Sequence, residues 1–392
     1  MDIKKEIEEL NDELIDLRRD FHKHPELGFE EKRTAKIVAD YLKECGLKVK
    51  EKVANTGVVA LLEGKKKGKT LMLRADMDAL PIQEQNDISY KSVNNGVMHA
   101  CGHDGHTAIL LIAAKILSRH RDEIKGDIKF VFQPNEETAG ARLMIEEGVL
   151  KDPDVDVAIG LHLWTSLKSG LVGISPGVVM GGLYEFKLKI KGKGGHTSAP
   201  NTAIDPIIAA ADIVKAVQTI QTREIDPLKP TVIMFGQIKG GNATNIIPEE
   251  VDLKGTIRYL YKGGDKSEER PHKRFERIVK GVCELHRAEY ELDFFSTSPP
   301  VYNNPELVRL LKDSAVKIVE KKNIVDHVNL AGEDFAEFTM EVPSVFYFIG
   351  TKNKEKGTDF PHHHPRFNID EDTLKTGVEM HIRAAISYLN SD

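Results

Sequence analysis

A change of secondary-structure grammar between residues 182 and 296 constrains the fold more than any other feature of the chain. Before it, helix-like and strand-like runs alternate. Ile3, Ile7, Leu10, Leu14 and Leu17 recur at helical spacing and the run stops before Pro25; a second helix is expected over about 30–45, ending at Gly46. Strands are expected at 56–63 and 70–76, a buried helix from Asp104 to about His120, a strand at 127–134, a helix at 138–148 and a strand at 156–164. Such alternation implies an α/β layer with a largely parallel sheet. From Gly182 the pattern becomes strand (182–196), helix (205–222), two strands (230–240 and 251–260), helix (from Pro271) and strand (290–296). That order, β-α-β-β-α-β, is ferredoxin-like and should form a small α+β domain. After 297 the α/β grammar returns, with helices near 305–320 and 371–390 around a strand at "SVFYFIG". The expected organisation is therefore a catalytic α/β domain in two parts, 1–181 and 297–392, with a second domain, 182–296, inserted between them.

The 392-residue length agrees with two domains, since a single core stops growing at smaller sizes. Lys and Arg number 55 against 61 Asp and Glu, a net charge of −6 that gives no reason to bind nucleic acid or an anionic membrane. The lysine run "EGKKKGKT" (63–70) reads as a solvated hairpin turn. "AILLIAA" (108–114) is the longest apolar run, far short of the ~20 residues a membrane span needs. The N-terminus is charged and lacks the apolar centre of a signal peptide. Cys45, Cys101 and Cys283 are odd in number and widely spaced, which argues for a reducing compartment. A cytoplasmic location is expected.

In parallel α/β sheets, functional groups collect where strands end and loops begin. "RADMDALP" brings Asp76 and Asp78 to one such place, and "FQPNEET" brings Glu136 and Glu137 to another. "GLHLW" supplies His162, "MHACGHDGHTA" supplies Cys101 and His103 just before a helix, and "DFPHHHPRF" supplies three histidines near the C-terminus. Thiolate, imidazole and carboxylate in five such loops suit a two-metal hydrolytic site. Taken singly, each motif has a plainer reading. Cys101 could be a small buried hydrophobe, the glutamate pair an acidic helix start, and Arg258 an exposed strand arginine. Histidines 99 and 106 read as supporting or structural groups, and histidines 22, 24, 120, 272, 286, 327 and 381 as surface or structural residues without partners.

The motifs "RRDFHKHPELGFEE", "LRADMDALP", "MHACGHDGHTA", "FQPNEE", "GKGGHTSAP", "GGNATNIIP", "GTIRYL", "AGEDF" and "HHPRF" resemble, in order and over nearly the whole chain, the M20 metallopeptidase and amidohydrolase family. The resemblance is to the branch of aminoacylases, hippurate hydrolases and auxin-conjugate hydrolases. Three positions depart from that pattern: Asn135 before the glutamate pair, "TSAPN" after His196, and His362 before His363.

The resemblance implies a dimetal amidohydrolase that cleaves N-acyl-L-amino acids, or a carboxypeptidase, dipeptidase or N-acetyl-diaminopimelate deacetylase built on the same machinery. An inactive conjugate-binding relative is a lesser alternative. It also implies two divalent ions per subunit (zinc, or manganese, cobalt or nickel) held by Cys101, His103, Glu137, His162 and His363. Cys101 would bridge an ion on His103 and His162 to one on Glu137 and His363. Glu136 would be the general acid/base, with Asp78 orienting a ligand and Glu333 doing likewise. His196 would stabilise the oxyanion, and Asn245 and Arg258 would hold the substrate carboxylate. The inserted domain would serve as a lid and pair two subunits into a homodimer, or a dimer of dimers.

Overall fold

The computed structural model describes residues 1–262 and 268–391, apart from the side chains of Ser296 and Thr297. The N-terminal helical period breaks at Leu10, giving α1 (Ile3–Glu9) and α2 (Asn11–Lys23), followed by α3 (Lys32–Glu44). A charged strand that the alternation did not reveal comes next, β1 (Lys48–Val53), and then β2 (Gly57–Glu63) and β3 (Lys66–Asp76). The chain continues through α4 (His103–Arg119), β4 (Lys125–Gln133), α5 (Ala141–Glu146), β5 (Val157–Lys168), β6 (Val172–Gly173) and β7 (Gly177–Met180). Next come β8 (Gly182–Lys191), β9 (Gly195–His196), α6 (Pro206–Ala216), β10 (Thr231–Gly240), β11 (Ile246–Ile247), β12 (Glu250–Tyr259), α7 (Pro271–His286) and β13 (Glu289–Ser298). The last elements are β14 (Val301–Asn303), α8 (Pro305–Ala315), β15 (Ile324–Val325), α9 (Ala336–Glu341), β16 (Ser344–Lys352) and α10 (Leu374–Leu389).

Two compact units result. One comprises Met1–Val179, Tyr302–Val328 and Asp334–Asp392; the other comprises Met180–Val301 and Asn329–Glu333. The first is built on a mixed sheet of order β1-β2-β4-β3-β5-β16-β6-β15, in which β4, β3, β5 and β16 run parallel. β2 and β3 each pair with β4 rather than with each other, so the lysine run does not close a hairpin. Gly64 N–H donates instead to Gly126 O, because the turn into β4 occupies the space between them. The second unit has a four-stranded antiparallel sheet, β10-β12-β8-β13, with α6 and α7 packed on it.

Burial of α4 explains why the first unit holds together. From His103 to Ala114 every residue of this helix is buried, and it packs against α2, α10 and β3. An apolar helix of this kind belongs in a core, where each buried Leu or Ile side chain contributes about 1.5–3 kcal/mol. Its polar first turn is paid for by partners on other elements. Arg18 of α2, wholly buried, places Nε 2.8 Å from Asp104 Oδ2 and donates to Glu371 Oε1 (3.1 Å) and Asn368 Oδ1 (2.8 Å). His22 is equally buried, with Nδ1 2.8 Å from Asp104 and Nε2 3.1 Å from Glu84. It is thus a core histidine with two carboxylate partners, contrary to the partnerless reading.

Removing one member of a buried ion pair leaves the other uncompensated, at a cost of about 3–5 kcal/mol. Arg18→Met should lower stability by that amount. Arg19→Met, which removes only a half-exposed contact to Glu371, should cost less than about 1 kcal/mol. Urea unfolding of the two variants checks this, and equal midpoint shifts would contradict it.

Candidate metal centre

The parallel strands end on one edge, and the candidate ligands arise there. β3 ends at Asp76 opposite Gln133, the last residue of β4, and the chain then enters the loop bearing Glu136 and Glu137. This loop is a single tight turn over Glu136–Thr138, with Asn135 and Ala139 at φ +55° and +83°. Those left-handed residues end the turn before a helix can form, so α5 starts only at Ala141, later than the expected 138. Gly140 is required here: a Cβ would lie 1.9 Å from the main-chain oxygen of Pro134. Gly102 at φ +98° turns the chain from Cys101 into α4. His363 itself sits at φ +63°, its N–H fixed on Ala100 O at 2.8 Å. A histidine in this costly conformation marks a place where geometry is held for a purpose.

Two sets of donor atoms form around Cys101. Cys101, His103 and His162 make one, and Cys101, Glu137 and His363 the other, with the atoms of each set within 4.8 Å of one another. His162 directs Nδ1–H to Leu163 O (2.9 Å), which leaves the lone pair of Nε2 3.5 Å from Cys101 Sγ. His103 directs Nδ1 to Asp78, 2.9 Å from the main-chain oxygen and 3.2 Å from Oδ1. Its buried Nε2 makes no hydrogen bond within the described residues. Glu137 Oε1 lies 3.2 Å from His363 Nε2. A buried imidazole nitrogen without a partner, beside a thiol and carboxylates, fits a divalent ion.

The electrostatics point the same way. Burial, aided by Glu137, pushes the Cys101 thiol up. Burial followed by His106 and His362 holds His162 well below the usual imidazole range, so its lone pair is available at neutral pH. Burial also opposes charge on His103, but Asp76 and Cys101 outweigh it and drive that group well upward. Contacts with Cys101 and Glu137 lift His363 to about 10. Protons on His103 and His363 answer the same negative field that a bound cation would.

Asp78 joins the two halves of the cluster. Besides His103, its oxygens accept the main-chain N–H of Glu136 (3.0 Å) and of Glu137 (3.1 Å). His106 accepts Leu163 N–H on Nε2 (2.9 Å) and meets Asp76 Oδ1 through Nδ1 (2.6 Å), so both its nitrogens are engaged. His362 is likewise engaged, with Leu163 O and Thr165, and packs on Trp164. Of the three C-terminal histidines, the geometry brings His363 into the cluster. Arg74, Gln133 and Asp334 stand inside the motifs "LRADMDALP", "FQPNEE" and "AGEDF", but no role was read for them from sequence alone. Buried Arg74 bridges Asp76 (2.7 Å) and Asp334 (2.9 Å), and Gln133 reaches both oxygens of Asp334.

The remaining candidates lie in the second unit. The β9–β11 ladder sets His196 opposite Ile246, and Asn245 O accepts Thr197 N–H (3.2 Å). Exposed His196 accepts Ser198 N–H on Nδ1 (3.1 Å), which leaves its proton on Nε2. Arg258 of β12 donates to Leu330 O (3.1 Å) within the same unit. Glu333 is buried in that unit as well.

Residues 72–387 match the profile of peptidase family M20/M25/M40. The chain belongs to this family. It is 40% identical to thermostable carboxypeptidase 2 of Saccharolobus solfataricus, over 99% of this chain and 98% of the relative. It is 38% identical to the N-acetyl-L-cysteine deacetylase of Bacillus subtilis, over 93% and 85%. A dinuclear metal-binding peptidase of the M20 family from Bacillus subtilis superposes with a TM-score of 0.84 at 32% identity, over 98% of this chain and all of that one. The protein is therefore a metal-dependent amide hydrolase of this family with a dinuclear metal-binding fold. Among the described residues, no helix is long and apolar enough to cross a membrane.

Cys101→Ser replaces a thiolate shared by both donor sets with a neutral hydroxyl. Bound metal and activity should fall together, as read by elemental analysis of the purified variant. Full metal occupancy at an unchanged rate would remove Cys101 from the centre.

Proposed function

We propose that the protein hydrolyses the amide bond of N-acyl-L-amino acids, releasing a carboxylic acid and a free amino acid. The observation that carries this reading is the pair of donor sets sharing Cys101, with a further carboxylate, Glu136, beside them. Glu136 Oε2 lies 4.0 Å from His103 Nε2, and its Oε1 faces the main-chain N–H of Asp334 at 3.3 Å. Glu137 instead reaches His363. Adjacent carboxylates that diverge in this way can divide the work, one binding metal and the other moving a proton.

Cys101, His103 and His162 would hold one ion, and Cys101, Glu137 and His363 the other. When bound, two divalent ions acidify a water and polarise the scissile carbonyl. Glu136 takes the proton of that water and delivers it to the departing amine. Asp78 keeps His103 in the tautomer that presents Nε2, and through the two N–H groups it accepts it sets the glutamates relative to that ring. His196, with its proton on Nε2, donates to the oxyanion. Asn245 and Arg258 bind the substrate carboxylate, Arg258 through a charge-assisted bond. The deacetylase relative supports the N-acyl reading. The carboxypeptidase relative, at similar identity, supports a second reading, in which a C-terminal residue is released from a short peptide.

A hydrolysis screen of N-acetyl, N-benzoyl and indole-acyl amino acids against dipeptides and longer peptides, with metal restored to stripped enzyme, decides between them. Turnover of peptides alone would favour the carboxypeptidase. Glu136→Gln should retain its metals and lose at least ~100-fold in kcat, because an amide cannot accept the water proton. Near-normal kcat, or loss of metal, would mean that the roles of the two glutamates are exchanged.

The proposal extends to a homodimer in which the inserted domain pairs two chains and His196 serves the partner's metal centre. Exposed Ile207, Ile208, Ile238 and Ile246 on the second unit support a face that another chain covers. Homodimers of Glu136→Gln and of His196→Ala should each be nearly inactive. After subunit exchange about half of the dimers are mixed, each with one repaired site, so roughly a quarter of full activity should return. Exchange verified by mass spectrometry without recovery would place His196 in its own chain's site, or outside catalysis.

A further inference from the structure

Asp334 belongs to neither of the donor sets around Cys101. Its carboxylate is buried and saturated. Arg74 Nη2 (2.9 Å) and Gln133 Nε2 (2.7 Å) donate to Oδ1; Gln133 Nε2 (2.7 Å) and Ala141 N–H (2.8 Å) donate to Oδ2. Gln133 is the last residue of β4 and Ala141 the first of α5, so these bonds grip both ends of the 134–140 loop that carries Glu136. Arg74 anchors the grip to β3, where it also donates to Asp76 Oδ2 (2.7 Å) and to Gln133 Oε1 (2.8 Å). The main-chain N–H of Asp334 in turn faces Glu136 Oε1 at 3.3 Å.

We propose that Asp334 is a positioning residue for the proton transfer. Its side chain clamps the loop and its N–H engages Oε1, so the Glu136 carboxylate is held with Oε2 toward the donor cluster. A glutamate on a turn has three side-chain torsions, and an unrestrained carboxylate would spend most of its time misdirected. A displacement of about 1 Å in a reacting group can cost on the order of 100-fold in rate. The clamp removes that freedom from outside the two donor sets around Cys101. The inference rests on the reading of Glu136 as the proton carrier.

Asp334→Asn keeps the shape of the side chain but loses its charge and sets an amide N–H2 against donors. Gln133→Met removes one jaw of the clamp and leaves the Arg74–Asp334 pair in place, and so serves if Asp334→Asn does not fold. Each should retain full metal by elemental analysis and an unchanged KM, while kcat falls about 10–100-fold. Combined with Glu136→Gln, either should add almost nothing to the loss from Glu136→Gln alone, because a positioning residue has no effect once the group it positions is gone. A kcat near that of the unaltered enzyme, a loss that follows metal content or melting temperature, or full additivity in the double variant would overturn the proposal. If Glu136→Gln alone retains turnover, the role given to Glu136 fails, an outcome separate from failure of the clamp.

Discussion

The structure depends on the burial of α4 with polar residues on its first turn. A helix begins with four unsatisfied N–H groups, and this one adds His103, Asp104 and His106 inside the core. Each must find partners there or cost the fold a full desolvation penalty. Asp78 takes His103, Arg18 and His22 take Asp104, and Asp76 with Leu163 N–H takes His106. Those partners come from β3 and the loop after it, from α2 and from β5. Meeting the needs of one helix start thus fixes the relative positions of four parts of the unit.

His103 Nε2 is one place where this accounting does not close among the described residues. It faces the same small space as Cys101, and the second donor set of Glu137 and His363 shares that thiol. Divalent ions would give partners to the donor atoms of both sets. The surrounding contacts fix the tautomers of His103 and His162 in advance, so little rearrangement would be needed on binding.

The relatives belong with this chain at the level of the whole sequence and differ in what their names say they cleave. A carboxypeptidase and an N-acetylcysteine deacetylase both align over most of the chain at nearly equal identity. On the function proposed above, amide hydrolysis would reside in the donor cluster and the glutamate beside it. In the second unit, Ser198 N–H donates to His196 Nδ1 and Arg258 lies on β12.

Periodicity and motif order determined much by themselves. Strand–helix alternation, the apolar run of α4 and the position of each ligand loop after a strand follow from local pattern, which the chain writes directly into sequence. The choice of His363 over its neighbours came from the resemblance to the family and not from local pattern. Other features depend on contacts between distant residues. The break of the first helix at Leu10, the separation of β2 from β3 by β4, and the late start of α5 answer to packing and to left-handed residues at 135 and 139. His22 looked solitary because its carboxylate partners lie 62 and 82 residues away. Arg74 and Asp334 lie 260 residues apart in separate motifs, and nothing local to either shows that folding makes them one buried pair. The sequence determined which groups could do the chemistry; only the tertiary structure decided which of them are held still, because buried polar atoms must be satisfied by whatever the fold brings within reach.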